Sequence, residues 1–116
     1  ETAYRHRAGV LAFDAERLAT RPLPARPLPA GFPREIYITF DVDGLDPSLM
    51  PATGTPVPGG LFWREAMALL DRVAAGRRVA GADVVELAPI RGLHHADFTA
   101  ALLAHRLLGL MDETKK

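Results

Sequence analysis

Ile38-Thr39-Phe40-Asp41-Val42-Asp43-Gly44-Leu45-Asp46-Pro47 is the stretch that decides the fold. It grows out of Glu35 to Phe40, where Ile36, Tyr37, Ile38, Thr39 and Phe40 are all β-branched or aromatic, the composition of a strand. Three carboxylates then fall within six positions, directly after that strand. Carboxylates crowded in this way repel one another unless a cation or hydrogen-bond donors compensate. Asp41 and Asp43 are two apart, so in an extended segment they point the same way. Such a pair suits a hard divalent ion such as Mg²⁺ or Mn²⁺. Asp46-Pro47 reads as the start of a turn or as support for the other two acids.

Outward from this stretch, regular elements alternate with breakers. Upstream, Thr2 to Ala8 reads as the end of a helix stopped by Gly9, and Val10 to Phe13 as a short strand. Residues 21–34, with prolines at 22, 24, 27, 29 and 33, read as an extended connector, because proline removes a donor and fixes φ. Downstream, residues 44–61 form a long loop rich in proline and glycine, and loops of that length inside compact domains are usually functional or disordered. The rigid prolines favour order. Leu61 to Ala75 carries Trp63, Met67, Leu70 and Ala74 at helical spacing, with Gly76 as terminator. Val79 to Leu87 is a third strand, apolar apart from Asp83 and Glu86. Asp97 caps a last helix, Phe98 to Met111, whose apolar residues on most sides imply burial.

Strand, helix, strand, helix is the order of an α/β fold with a parallel sheet. The crossover between Glu35–Phe40 and Val79–Leu87 makes those strands parallel. Their carboxyl ends therefore share one edge, where open α/β sheets bind ligands, and Glu86 should lie at the same edge as Asp41. Three parallel strands make a small sheet with exposed edges, which points to membership of a larger domain.

Composition narrows the partners. The chain has 116 residues with 48% hydrophobic and 24% charged, and its 14 basic and 14 acidic residues cancel. That balance is globular and gives no basic patch for nucleic acid. No apolar run reaches the ~18 residues of a membrane span, and no secretory signal opens the chain. With no cysteine, thiolate chemistry is excluded; a reducing, cytoplasmic setting fits. The only lysines are Lys115 and Lys116, so no internal lysine can form a Schiff base. His94 and His95 read as non-ligands at a substrate edge or surface, His105 as a packing residue and His6 as solvated.

Two metal or phosphate motifs compete for the acidic stretch. A calcium EF-hand loop needs acids at positions one, three and five, Gly at six and Glu at twelve; counted from Asp41, Leu45, Asp46 and Ala52 break that pattern. The strand followed by Asp-Val-Asp-Gly also resembles the first motif of haloacid-dehalogenase-like phosphatases, in which Asp41 would be the nucleophile and Asp43 the acid/base. There Thr follows the Gly; here Leu45 does, and the downstream Lys and acidic pair are missing.

The stronger resemblance is spread along the chain. Phe40-Asp41-Val42-Asp43-Gly44-Leu45-Asp46-Pro47, Ala52-Thr53-Gly54-Thr55-Pro56, Gly59-Gly60-Leu61 and Asp83-Val84-Val85-Glu86-Leu87-Ala88-Pro89 are similar to the C-terminal motifs of the ureohydrolases, the arginase/agmatinase family. Gly92 to Ala100 is most like bacterial and archaeal agmatinases. The resemblance implies an α/β three-layer sandwich with a parallel sheet, of which residues 1–116 are a C-terminal portion, with 21–34 as connector and 44–61 as active-site loop. It implies hydrolysis of a guanidino compound, agmatine to putrescine and urea, within polyamine biosynthesis. It implies two Mn²⁺ ions per complete site and a trimeric or hexameric homo-oligomer. By the same resemblance Asp41 bridges the two ions, Asp43 is held by one, Glu86 pairs with the substrate guanidinium, and Thr55 lies beside that pocket. The chemistry is coherent: a guanidinium stays protonated and a carboxylate is its partner, and a metal pair ~3.5–4 Å apart makes hydroxide available near neutral pH. The family's Gly-Gly-x-His and Asp-Ala-His-x-Asp segments do not occur here. The 116 residues alone are therefore expected to be inactive, and a metal-free, non-catalytic role is the further alternative.

Overall fold

A computed structural model describes residues 2–114, so Glu1, Lys115 and Lys116 lie outside the described residues. Helices α1 (Thr2–Arg7) and α2 (Ala15–Thr20) precede strand β1 (Glu35–Asp41). A 3₁₀ turn at Val42–Gly44 follows, then α3 (Trp63–Ala74), β2 (Arg78–Val85) and α4 (His94–Glu113). Strands β1 and β2 form a two-stranded parallel sheet, joined by α3 as the crossover that parallel pairing requires. Among the described residues no helix is long and apolar enough to cross a membrane.

Strand β1 alternates strictly. Ile36, Ile38 and Phe40 are buried, while Glu35, Tyr37, Thr39 and Asp41 face outward. The buried face meets Val79 of β2, Ala66, Leu70 and Ala74 of α3, and Ala96, Ala100, Leu103, Leu107 and Leu110 of α4 in one core. Ala66, Leu70 and Ala74 recur every four residues, the stripe that keeps one helical face on a sheet. Val42, Leu45, Met50 and Ala52 extend this core beneath the long loop, and all four are fully buried. The loop is thus fastened from below by its own apolar residues.

Several sequence expectations change. Val10–Phe13 forms no strand, and Val10 and Leu11 are about half exposed; strand propensity without a partner edge does not make a strand. Residues 15–20 form α2, which the periodicity does not announce; Asp14 precedes it and Glu16 sits in its first turn, where an acid favours the helix dipole. Helix α4 starts at His94, so Asp97 lies inside its first turn rather than at its cap. It is buried on one face only: Phe98 and Leu108 are 66% and 64% exposed. His105 is on that outer face and exposed, so it is not a packing residue. His6 is exposed in α1, as expected. Strand β2 ends at Val85, one residue before Glu86.

Candidate functional site at the carboxyl edge of the sheet

Asp41 is the last residue of β1, and its register partner is Val85, the last residue of β2. Both chains leave the sheet at this edge, which brings Glu86 alongside Asp41. Glu86 adopts φ 65, the one described non-glycine residue with a positive φ. An L-residue in that region is strained, and such strain persists only where surrounding structure enforces it. Here the enforcing contact is close by: the Ala88 N–H donates to the Ala52 carbonyl at 2.8 Å, pinning the exit of β2 to the long loop.

Asp43 does not continue the strand. Residues 42–44 form a 3₁₀ turn capped by Asp41, whose Oδ1 accepts the Asp43 N–H at 3.1 Å. The two side chains therefore come together through a turn, not through the period of an extended segment. Thr55 donates its hydroxyl to Asp43 Oδ2. Thr55 thereby orients the second carboxylate from across the loop. Partial desolvation of its carboxylate raises the Asp41 pKa above the usual 3.8, although the residue as a whole is exposed. The Asp43 N–H works against that shift, while the Asp43 side chain and the charge of Glu86 add to it. Asp41 thus feels both Asp43 and Glu86 at one sheet edge, a place where a cation would be welcome.

The donor set fits manganese in kind and only partly in number. Asp41 and Asp43 offer the hard oxygens that such an ion prefers. Among the described residues no group of three or more His, Cys, Asp or Glu side chains converges to hold a metal. His94 and His95 open α4 and are exposed; the His94 Nδ1 lies 3.9 Å from Asp97 Oδ2.

Asp46 is the clasp of the loop. Its Oδ1 accepts the Ser48 N–H at 3.0 Å and the Ser48 hydroxyl at 2.6 Å, and its Oδ2 accepts the Gly59 N–H at 3.0 Å. The loop ends are zipped by Leu61 N–H to Gly44 O at 2.9 Å and Asp46 N–H to Leu61 O at 3.0 Å. Those donors, the Ser48 hydroxyl first, hold the Asp46 carboxyl below its ordinary 3.8. A depressed carboxyl stabilises the fold above its unfolded pKa, and that contribution is lost as pH falls through the folded value. Asp46→Asn is accordingly expected to lower stability at pH 7 and to flatten the acid limb below about pH 4. Urea melts across pH 2–7 read this directly; parallel curves for the two proteins would refute the clasp.

Sequence reasoning named Asp41, Asp43, Thr55 and Glu86, and the structure places all four around this edge. It passed over Asp83, whose carboxylate accepts hydrogen bonds from Tyr37 and Thr39 on the same outward face as Asp41. The available signal is an acid interrupting an apolar strand.

The family model described as "Arginase family" matches residues 1–111. The chain is 44% identical over 102 residues to N(1)-aminopropylagmatine ureohydrolase of Thermus thermophilus, covering 88% of this chain and 34% of that protein. It is 46% identical over 70 residues to the agmatinase of Chromobacterium violaceum, covering 60% of this chain and 21% of that one. Among solved structures, proclavaminate amidino hydrolase from Streptomyces clavuligerus superposes with a TM-score of 0.80 at 29% identity, over 96% of this chain and 38% of that one. The chain spans about a third of the length of the curated relatives named here or less, 34% for the Thermus protein and 21% for the Chromobacterium one.

Proposed function

Given that the chain belongs to the arginase family, we propose that it forms part of a manganese-dependent hydrolase that splits a guanidino compound, agmatine first among them, into urea and an amine. The observation that carries this is the meeting of Asp41 and Asp43 with Glu86 where β1 and β2 end together. The family match leaves no support for the phosphatase alternative. The names of two relatives, an agmatinase and an aminopropylagmatine ureohydrolase, favour a substrate whose guanidinium sits at the end of a polyamine-like chain. A cytoplasmic trimer or hexamer belongs to the same proposal.

Each residue has a task. Asp41 and Asp43 would hold Mn²⁺ together with further donors. The metal, when bound, supplies Lewis-acid activation of water near neutral pH. Thr55 keeps the Asp43 carboxylate turned toward the edge through its hydroxyl. Glu86 takes the guanidinium in a charge-assisted pair, orienting its carbon toward the two aspartates. Water attacking that carbon would form the new C–O bond of a tetrahedral species, and a water proton passed to the chain nitrogen would let its C–N bond break, releasing urea and the protonated amine. The positive φ of Glu86, beside the hydrogen bond from Ala88 N–H to the Ala52 carbonyl, would fix where its side chain leaves the backbone before substrate arrives.

Urea release by the whole protein from agmatine, N(1)-aminopropylagmatine, arginine and guanidinobutyrate tests this reading. Agmatine or its aminopropyl derivative should be the best substrate. Glu86→Gln should retain manganese and lose kcat/KM by a factor on the order of 10²–10³, the cost of leaving a charged partner unpaired. Unchanged turnover would remove Glu86 from the reaction.

A further inference from the structure

Asp83 sits two residues before the end of β2 with both carboxylate oxygens engaged from β1. Oδ1 accepts the Thr39 hydroxyl at 2.7 Å and Oδ2 accepts the Tyr37 hydroxyl at 2.9 Å. Thr39 is its register partner, and Tyr37 is two residues earlier on the same face. That face continues to Asp41, so one row of side chains leads from Tyr37 through Thr39 to the metal-binding acid.

The bond to Tyr37 needs a special approach. Its register partner is Gly81, where an added Cβ would lie 2.8 Å and 2.9 Å from the Tyr37 ring carbons Cε2 and Cδ2. Only glycine lets the ring lie across β2 toward Asp83. The register is also irregular just before this point: Ile36 pairs with Val79 and Tyr37 with Gly81, leaving Ala80 as the extra residue. An irregular strand pair is where register must be fixed by something other than the ladder. Asp83 does so with a two-pronged contact that one register alone satisfies. A slip of two residues one way would set Asp83 opposite Asp41, carboxylate against carboxylate; the other way would forfeit Thr39.

We infer that Asp83 is a positioning residue which, through Tyr37 and Thr39, locks the register that sets Glu86 beside Asp41 and Asp43. The inference rests on the guanidino-hydrolase reading above and adds a determinant outside the reacting groups. A register held loosely would leave metal binding, which is local to the end of β1 and its turn, largely intact. It would let Glu86 wander, and a displacement near 1 Å at a reacting group costs up to about 100-fold in rate.

The test compares Asp83→Ala, Asp83→Asn and Tyr37→Phe in the whole protein reconstituted with Mn²⁺. It reads kcat, KM, manganese per chain and amide hydrogen exchange over residues 79–85. Asp83→Ala should lower kcat per bound manganese by about 10- to 100-fold and speed exchange in β2, with metal content unchanged. Asp83→Asn can still accept from Thr39 and donate to the Tyr37 oxygen, so it should stay within about threefold of wild type. Tyr37→Phe, which removes one prong, should fall between them and serves if Asp83→Ala does not fold. Unchanged kcat per manganese in Asp83→Ala, or in Tyr37→Phe where that variant stands in, overturns the positioning role. So does an Asn variant as damaged as the Ala one, which would assign the effect to charge. If the wild-type protein releases no urea, the hydrolase reading fails and the positioning role with it. The exchange data then still decide whether the clamp exists, and unchanged exchange in the variants would refute that too.

Discussion

Asp41→Asn will leave the whole protein folded and catalytically dead. Asn is the same shape, and its Oδ1 can still accept the Asp43 N–H that shapes the 3₁₀ turn. What it lacks is the charge. Replacing merely the partners around a metal ligand costs about 10–100-fold in affinity, so loss of an anionic ligand should weaken Mn²⁺ binding by more than about 100-fold. Turnover should become undetectable at ordinary metal concentrations. Without metal the same variant should be more stable than wild type at neutral pH. The Asp41 carboxyl is raised above its ordinary 3.8 by desolvation and by its acidic neighbours, so the folded chain holds that proton longer than the unfolded one. Stability therefore falls as pH rises from the ordinary value through the raised one, and the neutral Asn escapes that fall. Thermal melts of the metal-free proteins at pH 3 and pH 7, beside manganese titrations, check both halves. A variant that binds Mn²⁺ like wild type would contradict the assignment.

Gly60→Ala should be the most damaging change to the fold itself. A Cβ there would lie 2.5 Å from the Leu45 carbonyl carbon, 2.6 Å from the Asp46 nitrogen and 2.7 Å from the Leu45 oxygen. These are backbone atoms of the turn that carries the acids, and Leu45 is itself buried and paired with Leu61. Neither side can retreat without parting the zipper that closes the loop. Overpacking of this severity costs about 3 kcal/mol, or about 10 °C in Tm for a chain of this size. Activity of the whole protein should fall as well, since the displaced turn holds Asp43. Gly59→Ala is the control: Gly59 has φ +90 with no atom within 4 Å of the added Cβ, so it meets backbone strain alone, about 1–2 kcal/mol. Differential scanning calorimetry of both variants decides; equal melting points would mean that the close approach at Gly60 is not what closes the loop.

What could be read from sequence and what could not divides along a physical line. Strand β1 and helix α3 were legible because a run of β-branched and aromatic residues, or a four-residue apolar stripe, is local information. The acids at 41 and 43 were legible because their crowding is energetically odd wherever it occurs. Their geometry was not: alternation along a strand assumes that the strand continues, whereas the chain turns at Val42–Gly44. The left-handed backbone of Glu86 and the hydroxyl contact of Thr55 depend on a loop closing from elsewhere. Asp83 escaped for the same reason, since its partners lie 44 and 46 positions away and meet it through an irregular register. Val10–Phe13 misled in the opposite sense, offering strand composition with no edge to join.

The most direct measurement is anomalous diffraction at the manganese edge from crystals of the whole protein grown with Mn²⁺ and a non-hydrolysable guanidino ligand. The account predicts manganese density in contact with the Asp41 and Asp43 carboxylates and the guanidinium paired with Glu86. Manganese bound elsewhere, or a guanidinium seated away from Glu86, would contradict it.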